Sequence, residues 1–151
     1  MRLTVFTDYT LRTLMYLALR PDRLVTIADI SEAYQISNNH LMKVVHQLAL
    51  SGEVMTMRGQ HGGLRLARPA CEINIGAVVR RSEADLEMMP CFGAQAESVI
   101  GSNCVLTAAV DEALRAFLTV LDNYTLADLV RPRAALARLL RVDELLEPVP
   151  A

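Results

Sequence analysis

The sequence lacks any apolar run that approaches the roughly 18 residues of a membrane span, which argues against a transmembrane helix. Charged residues are also few, at 21% of the 151 residues, while hydrophobic residues make up 52%. This composition lies far from that of disordered chains. The length suits one domain and argues against an enzyme with separate cofactor and substrate lobes. Because repeats and low-complexity tracts are lacking too, we expect one compact, soluble domain.

Cysteine is scarce as well, with only three residues. An odd number in a chain of this size argues against a disulfide scaffold and leaves metal ligation, redox chemistry or buried thiols as alternatives. The N-terminus has no small-residue cleavage site, and Arg2, Asp8 and Arg12 interrupt its apolar residues, unlike a signal peptide. We therefore expect a cytoplasmic protein with no membrane partner.

The net charge of −2 is unevenly distributed along the chain. Residues 1 to 68 hold eight Lys and Arg against five acidic residues, a net +3, whereas residues 69 to 151 hold seven against twelve, a net −5. A basic first half fits a polyanion-binding head on a body with another role. An ordinary solvated surface explains the asymmetry equally well.

Amphipathic segments near the start predict two helices. The first follows Thr7 as its N-cap and ends before Pro21. The second begins at Thr26, with Asp29 three residues on in a capping-box pattern, and ends near Gln35.

A third helix follows after a very short turn, with Ser37 as its cap and Gly52 as its C-terminal stop. Its apolar stripe consists of Leu41, Val44, Val45 and Leu48. Two helices joined by so short a turn predict a helix-turn-helix.

Strand-like residues follow at 53–58 and 64–68, separated by a segment with three glycines that favours a tight reversal. A helix-turn-helix followed by a β-hairpin is typical of a winged helix. We therefore predict a mainly α fold with a small β-hairpin, in which residues 1–68 form a winged helix-turn-helix head.

The rest of the chain predicts a linking helix near Asn74, an aperiodic loop over 88–104, a long amphipathic helix from about Val105 to Asn123, and a weakly amphipathic stretch over 134–146. The expected units are a linking helix and loop over 69–104, a dimerisation helix over 105–130 and a tail over 131–151. The apolar seam of the long helix contains Leu106, Val110, Ala113, Phe117, Val120 and Leu121. Pairing with a second copy is one interpretation of this seam, and a core helix within one subunit is the other.

The polar face of the third helix is chemically suited to a DNA major groove. It carries Asn38, Asn39, His40, Lys43 and Gln47, and the wing adds Arg58, His61 and Arg65. Asn and Gln bond adenine edges, Lys reaches guanine or phosphate, and basic wing residues meet phosphates or a minor groove. The alternative is a merely solvated helix face and a hairpin with basic ends.

Two cysteines frame the aperiodic loop in the pattern Cys91-x6-Ser98-x5-Cys104, while Cys71 lies outside it. Cys104 precedes a predicted helix, whose dipole favours the thiolate that metals and clusters bind. Two cysteines do not close a four-ligand site, so inert or buried thiols remain the alternative. Ser98 stands where the spacing leads us to expect a third cysteine.

Several motifs together give a resemblance to a known family. They are the first nine residues, Leu41 to Val45 with the wing at 58–63, Ile73 to Gly76, and Phe117 to Leu129. Over about residues 1 to 130 the chain resembles the NsrR family of nitric-oxide-sensing repressors, among the iron-sulfur winged-helix regulators that include IscR. The resemblance implies a homodimer that binds double-stranded operator DNA. It further implies a [4Fe-4S] cluster held by three loop cysteines and an aspartate of the partner subunit, whose nitrosylation releases DNA.

Matched to this family, Cys91 and Cys104 take the positions of the first and third cluster cysteines and Asp8 that of the aspartate. Ser98 replaces the middle cysteine and is a far poorer ligand than a thiolate. Either a natural change in cluster ligation or an introduced Cys-to-Ser substitution explains the serine at this position. Because a hydroxyl is nearly the smallest change from a thiol, we favour the introduced substitution, which would give a cluster-free form of the protein. Asp8 also has an explanation without any metal, because an acidic residue in the first turn of a helix interacts favourably with the helix dipole. When the cluster is absent, we expect Arg12, one turn along from Asp8, to pair with it.

Two other functions remain as alternatives. One is a regulator of the same fold that uses a [2Fe-2S] cluster or a thiol switch without metal. The other is a metalloenzyme or redox carrier in which His40, His46 or His61 joins the cysteines, although no His and Cys have a local ligand spacing. Because no set of nucleophile, base and orienting acid is evident, we expect no enzyme activity.

Overall fold

The computed structural model describes residues 2–59, 62–84, 86 and 105–142. Its helices are α1 (Val5–Leu19), α2 (Ile27–Tyr34), α3 (Asn38–Leu50), α4 (Ile75–Ser82), α5 (Val105–Asp122), α6 (Leu126–Leu129) and α7 (Arg133–Leu139), and its strands are β1 (Val54–Met57) and β2 (Gly63–Leu66). A 3-10 turn over Ala70–Glu72 precedes α4. The predicted class, mainly α with one small hairpin, is confirmed.

Helix α1 begins one turn earlier than predicted. Thr4 is its N-cap, and the Thr4 hydroxyl accepts a 3.2 Å hydrogen bond from the Thr7 backbone N–H. The predicted cap at Thr7 is therefore wrong. Thr7 is buried, and its hydroxyl donates a 2.8 Å hydrogen bond to Ser82 Oγ at the end of α4. Contacts with a distant helix thus decide which of the two threonines caps α1.

The helix-turn-helix forms as predicted. Thr26 and Asp29 make a full capping box at the start of α2, and Gln35 ends that helix in the left-handed conformation, with φ 55°. Ser37 caps α3, so only three residues separate the two helices. The four stripe residues of α3 are all buried against the core, and Gly52, with φ 76°, ends the helix region.

Strands β1 and β2 form an antiparallel hairpin in which Val54 pairs with Leu66 and Met57 pairs with Gly63. The alternation predicted from the sequence is confirmed, since Leu64 is buried whereas Arg65 is exposed. Backbone bonds in both directions between Val25 and Leu64, at 2.9 and 2.7 Å, attach the hairpin to the segment that precedes α2. The wing is thereby held against the helix-turn-helix.

The predicted linking helix is present, with Asn74 as its N-cap. The long helix spans Val105–Asp122, which confirms the helix predicted from about Val105 to Asn123. The chain then turns back, and Thr125, with Asp128, forms a capping box for the short helix α6. In the tail, helix α7 ends at Leu139, which is shorter than the predicted stretch over 134–146, and residues 143–151 lie outside the described residues.

The core lies between α1, the helix-turn-helix and α4. The largest of its fully buried apolar side chains are Leu14, Leu17, Ile30, Leu41, Ile73 and Leu126. Helix α1 contacts α2, α3, α4, α6 and β2 and is therefore the central helix of the fold. In the part of the chain that the structure describes, no helix is both long enough and apolar enough to cross a bilayer.

Candidate nucleic-acid interface

Helix α3 presents a polar face on the side opposite its buried stripe. The five α3 side chains predicted to contact DNA are all exposed, namely Asn38, Asn39, His40, Lys43 and Gln47. Residues three or four apart share a helix face, so Asn39 and Lys43 lie in its middle. His46 is also exposed and extends the same face. His46 was not among the residues predicted for this face, although its three-residue spacing from Lys43 was the available signal.

Two members of this face lie at its edge beside α1. His40 Nδ1 lies 3.1 Å from Ser37 Oγ, and the His40 ring packs at 5.9 Å from the ring of Tyr9 in α1. Gln47 borders a small cavity that Phe6 of α1 also lines. The first two turns of α1 therefore lie next to the exposed polar face of α3.

The wing adds positive charge and an apolar strip. Arg58 and Arg65 are exposed, as predicted, and His61 lies outside the described residues. Arg65 is paired across the hairpin with Met55, whose sulfur lies 3.5 Å from Arg65 Nη2. Met55 and Met57 are spaced by two along β1 and thus project on the same side of the hairpin as Arg65.

A buried carboxylate joins the wing to the rest of the head. Glu53 is only 1% exposed, and Arg68 Nη2 lies 3.2 Å from its Oε1. Arg81 of α4 also forms an ion pair with Oε1, and the Ser51 hydroxyl donates a hydrogen bond to Oε2. This group of charges was not predictable from the sequence, because its members come from three separate parts of the chain.

Asp8 lies in the first turn of α1 with its side chain about half exposed, at 48%. Arg12 Nε lies 2.9 Å from Asp8 Oδ1, so the pairing predicted from the sequence is present. The Arg12 guanidinium also lies over the ring of Tyr34 at the end of α2, 5.6 Å from the ring centroid. Burial raises the pKa of Tyr34 to about 12. Arg12 therefore connects Asp8 to the last residue of α2.

The other predicted cluster ligands, Cys91, Ser98 and Cys104, lie outside the described residues. Their chemistry still limits what the site can hold. Iron-sulfur clusters are bound mainly by cysteine thiolates, and the complete set would be two thiolates, the Asp8 carboxylate and a serine hydroxyl. That set fits a [4Fe-4S] cluster only in part. Cys71 is an exposed free thiol in the 3-10 turn, away from these positions in sequence.

Helix α5 carries two apolar stripes. One faces this subunit's own core through Leu114, Phe117, Leu118 and Leu121. The other is exposed and runs at alternating spacings of three and four through Leu106, Ala109, Ala113, Ala116 and Val120. The predicted dimer seam is thus divided: Leu106, Ala113 and Val120 lie on the exposed stripe, Phe117 and Leu121 pack on the core, and Val110 is half-buried between them. Ala109 and Ala116 were not predicted.

The arrangement of helix-turn-helix, hairpin wing and long helix is matched by a known family. The family model Rrf2, described as an iron-dependent transcriptional regulator, matches residues 3–132. The chain belongs to the Rrf2 family. It is therefore a transcriptional regulator with a winged-helix fold.

Curated Rrf2 relatives are similar over nearly their whole length. The HTH-type transcriptional regulator NsrR of Bacillus subtilis is 47% identical over 146 residues, which cover 95% of this chain and 100% of the relative. The protein of the same name from Geobacillus kaustophilus is 48% identical over 143 residues, covering 93% of this chain and 97% of the relative.

Solved structures support the same Rrf2 assignment. The oxidized form of Staphylococcus aureus CymR superposes with a TM-score of 0.72 at 25% identity, covering 87% of this chain and 97% of that chain. T. potens IscR superposes with a TM-score of 0.71 at 21% identity, covering 99% of this chain and 94% of that chain. At that identity the similarity to IscR concerns the fold alone.

Proposed function

We propose that the chain is a cytoplasmic repressor that binds operator DNA as a homodimer, without enzyme activity. The exposed polar face of α3 is the observation that carries this proposal, because it stands beside a basic wing on a helix-turn-helix. In such heads the recognition helix enters the major groove and the wing contacts the flanking backbone.

Each side of this surface has a different role in DNA binding. Asn39 is suited to an adenine edge and Lys43 to guanine or phosphate, since both lie in the middle of the α3 face. Arg58 and Arg65 on the wing, together with His61, are suited to phosphates or a minor groove. The positive charge of residues 1 to 68 attracts the duplex at long range.

A homodimer is proposed from the exposed stripe of α5. Its alternating spacings of three and four are those of a coiled-coil seam, and its three alanines allow two helices to approach closely. Winged helices read short half-sites, and two-fold symmetry doubles the number of specific contacts. The stripe therefore gives the dimer a defined surface on the side of α5 that is turned away from the core.

We further propose that this regulator senses nitric oxide through a [4Fe-4S] cluster. Cys91, Cys104 and the partner subunit's Asp8 are the proposed ligands, with Ser98 at the fourth position. When bound, such a cluster supplies iron that reacts with nitric oxide. Because a serine hydroxyl loses its proton much less readily than a thiol, we expect this chain to hold the cluster poorly or not at all.

Helix α1 links the proposed cluster ligand to the recognition helix. Its first turns carry Asp8, and the next residue, Tyr9, packs against the recognition helix. Arg12 holds the Asp8 carboxylate and the Tyr34 ring at the same time. A change in the position of Asp8 is therefore expected to move the recognition helices and alter the spacing of the two half-site contacts.

The test is the iron and sulfide content and the visible absorption of anaerobically purified protein, measured with and without Ser98→Cys and before and after addition of nitric oxide. We expect the Ser98→Cys variant alone to hold a cluster that nitric oxide bleaches. A [2Fe-2S] spectrum or a metal-free thiol response would instead support the alternative regulator. If neither protein binds iron, nitric oxide sensing through a cluster is wrong, although DNA binding is tested separately.

DNA binding is tested by selecting a duplex from a random-sequence library with the unmodified dimer. A selected palindromic site bound much more tightly than random duplex is expected for a specific repressor. Equal affinity for all duplexes, or no binding, would contradict the proposal.

A further inference from the structure

The last turn of α4 contacts two parts of the head, the wing and the start of α1, through three consecutive residues. Arg81 forms the ion pair with Glu53 at the base of the wing. Ser82 Oγ accepts the 2.8 Å hydrogen bond from the Thr7 hydroxyl. Glu83 Oε1 accepts a 2.8 Å bond from the Thr4 backbone N–H. The wing and the start of α1 are therefore tied to the same turn of helix.

Glu53 is well placed to fix the wing. Its backbone carbonyl accepts a 2.8 Å bond from the Ala67 N–H just after β2, and its own N–H donates a 3.0 Å bond to the Leu48 carbonyl of α3. Its side chain accepts from Ser51, the C-cap residue of α3. Glu53, which directly precedes β1, thus contacts both the end of the recognition helix and the segment that directly follows β2.

Burial makes this arrangement sensitive to its charged partners. An ionised carboxylate that is 1% exposed is stable only when cations and hydrogen bonds compensate the lost hydration. Arg68 provides one cation from within the wing. Arg81 provides the other, and it is the partner that comes from outside the wing and the recognition helix. Its removal leaves Glu53 paired but releases the wing from α4.

We propose that Arg81 is a positioning residue for DNA binding, which fixes the wing relative to the recognition helix by holding the buried Glu53 carboxylate from α4. The inference rests on the proposed function, because it assigns the wing a DNA contact. The wing then meets its part of the duplex at a set distance from α3. A loosened wing loses the entropy advantage of a preorganised surface.

Arg80 provides a matched control. It is the preceding residue of α4, its side chain is 41% exposed against 43% for Arg81, and it also forms an ion pair, but with Asp122 of α5. The experiment compares Arg81→Gln, Arg81→Lys and Arg80→Gln with the unmodified chain. Arg81→Gln leaves the Arg68 pair intact, so we expect the variant to fold, and thermal unfolding checks this. Sedimentation confirms that every protein has the same oligomeric state.

The first readout is affinity for the selected duplex and for a random-sequence duplex of equal length. Arg81→Gln is expected to weaken binding of the selected duplex about tenfold, the effect of losing roughly one good contact, with a much smaller change for random duplex. Arg81→Lys should recover most of the loss, and Arg80→Gln should bind as the unmodified chain does. If Arg81 instead contacted a phosphate itself, the salt dependence of log Kd would fall by about one unit for both duplexes.

The second readout is amide hydrogen exchange of the hairpin in the protein without DNA. Exchange in β1 and β2 should be faster in Arg81→Gln and unchanged in Arg80→Gln. Equal exchange in the two variants, or equal loss of affinity, would overturn the proposal. If the unmodified chain selects no duplex, the proposed function fails, while the exchange measurement still decides whether Arg81 holds the wing.

Discussion

Arg80 and Asp122 form a two-armed ion pair in which each guanidinium Nη lies 2.6 Å from a carboxylate oxygen. The pair joins the last turn of α4, the helix that begins within the motif Ile73 to Gly76, to Asp122 of the motif Phe117 to Leu129. Their backbones also meet, since the Leu126 N–H donates a 2.8 Å bond to the Ile73 carbonyl. These two motifs are therefore the two sides of one junction between α4 and α5.

The close approach at this junction requires glycine at position 76. A Cβ built on Gly76 would overlap Asp122 Oδ1 and lie 3.0 Å from the Asp122 backbone nitrogen. Gly76→Ala is therefore expected to lower the free energy of unfolding by about 1 to 3 kcal/mol, the usual effect of overpacking. Urea unfolding of the variant measures this.

Asp122→Ala is the control for that substitution, because it removes the side chain that the new methyl group meets. The loss caused by Gly76→Ala should be smaller in the Asp122→Ala background than in the unmodified chain. An equal loss in both backgrounds would show that the clash with Asp122 is not the cause.

The Thr125 capping box makes stability depend on acid pH. The Thr125 backbone N–H, and then its hydroxyl, donate hydrogen bonds to Asp128 at 2.8 and 2.7 Å and lower the pKa of this carboxyl from 3.8. The folded state thus favours the ionised form, so the contribution is complete above pH 3.8 and is lost as the pH falls below it.

We therefore expect Asp128→Asn to be destabilised near neutral pH and to lose less further stability on acidification than the unmodified chain. Thermal unfolding between roughly pH 2.5 and pH 6 checks this prediction. An equal loss of stability on acidification in the two proteins would contradict it.

Local signals and distant contacts account for different parts of this structure. The capping box of Thr26 with Asp29 and the Ser37 cap are local, and both were predicted correctly. The cap of α1 was assigned wrongly, because the choice between Thr4 and Thr7 depends on Ser82 and Glu83, more than 70 residues away.

The same distinction applies to the candidate sites. The exposed face of α3 follows from one helical period and was predictable, whereas Glu53 is explained only by arginines that the fold brings to it. On α5, the apolar period alone did not separate the two stripes, because both have spacings of three and four. Which stripe packs on the core depends on α4, which α5 contacts.

Lys43 is expected to contribute to affinity without deciding sequence preference. If it contacts a phosphate, Lys43→Ala weakens selected and random duplexes alike and reduces the slope of log Kd against log salt by about one. Titrations at several salt concentrations measure both. Arg131→Ala is the charge-matched control, since Arg131 is 79% exposed and pairs with Asp128 outside the head. If the two substitutions changed the affinity and its salt dependence equally, Lys43 would have no specific role in DNA binding.

Asn39 is expected to contribute to specificity. A bidentate contact with adenine discriminates against other bases by about 1 to 3 kcal/mol. Asn39→Ala should therefore relax the preference at one adenine in each half-site, while affinity for random duplex stays nearly the same. A repeated duplex selection with the variant measures this, and an unchanged selected sequence would exclude a base contact by Asn39.

The exposed stripe of α5 leads to a prediction about assembly. Ala113 lies in the middle of the stripe, whereas Ala108, also exposed, lies on the polar side of the same helix. Ala113→Glu places a charge in the proposed seam of both subunits and is expected to convert the dimer to a monomer, because like charges brought together at a buried contact repel. Ala108→Glu makes the same chemical change on the polar side and should leave the dimer intact.

Sedimentation equilibrium distinguishes the monomeric variant from the dimeric one. The monomeric variant should also lose most of its affinity for a duplex with two half-sites, since each head then binds alone. A dimeric Ala113→Glu protein would place the interface elsewhere on the chain.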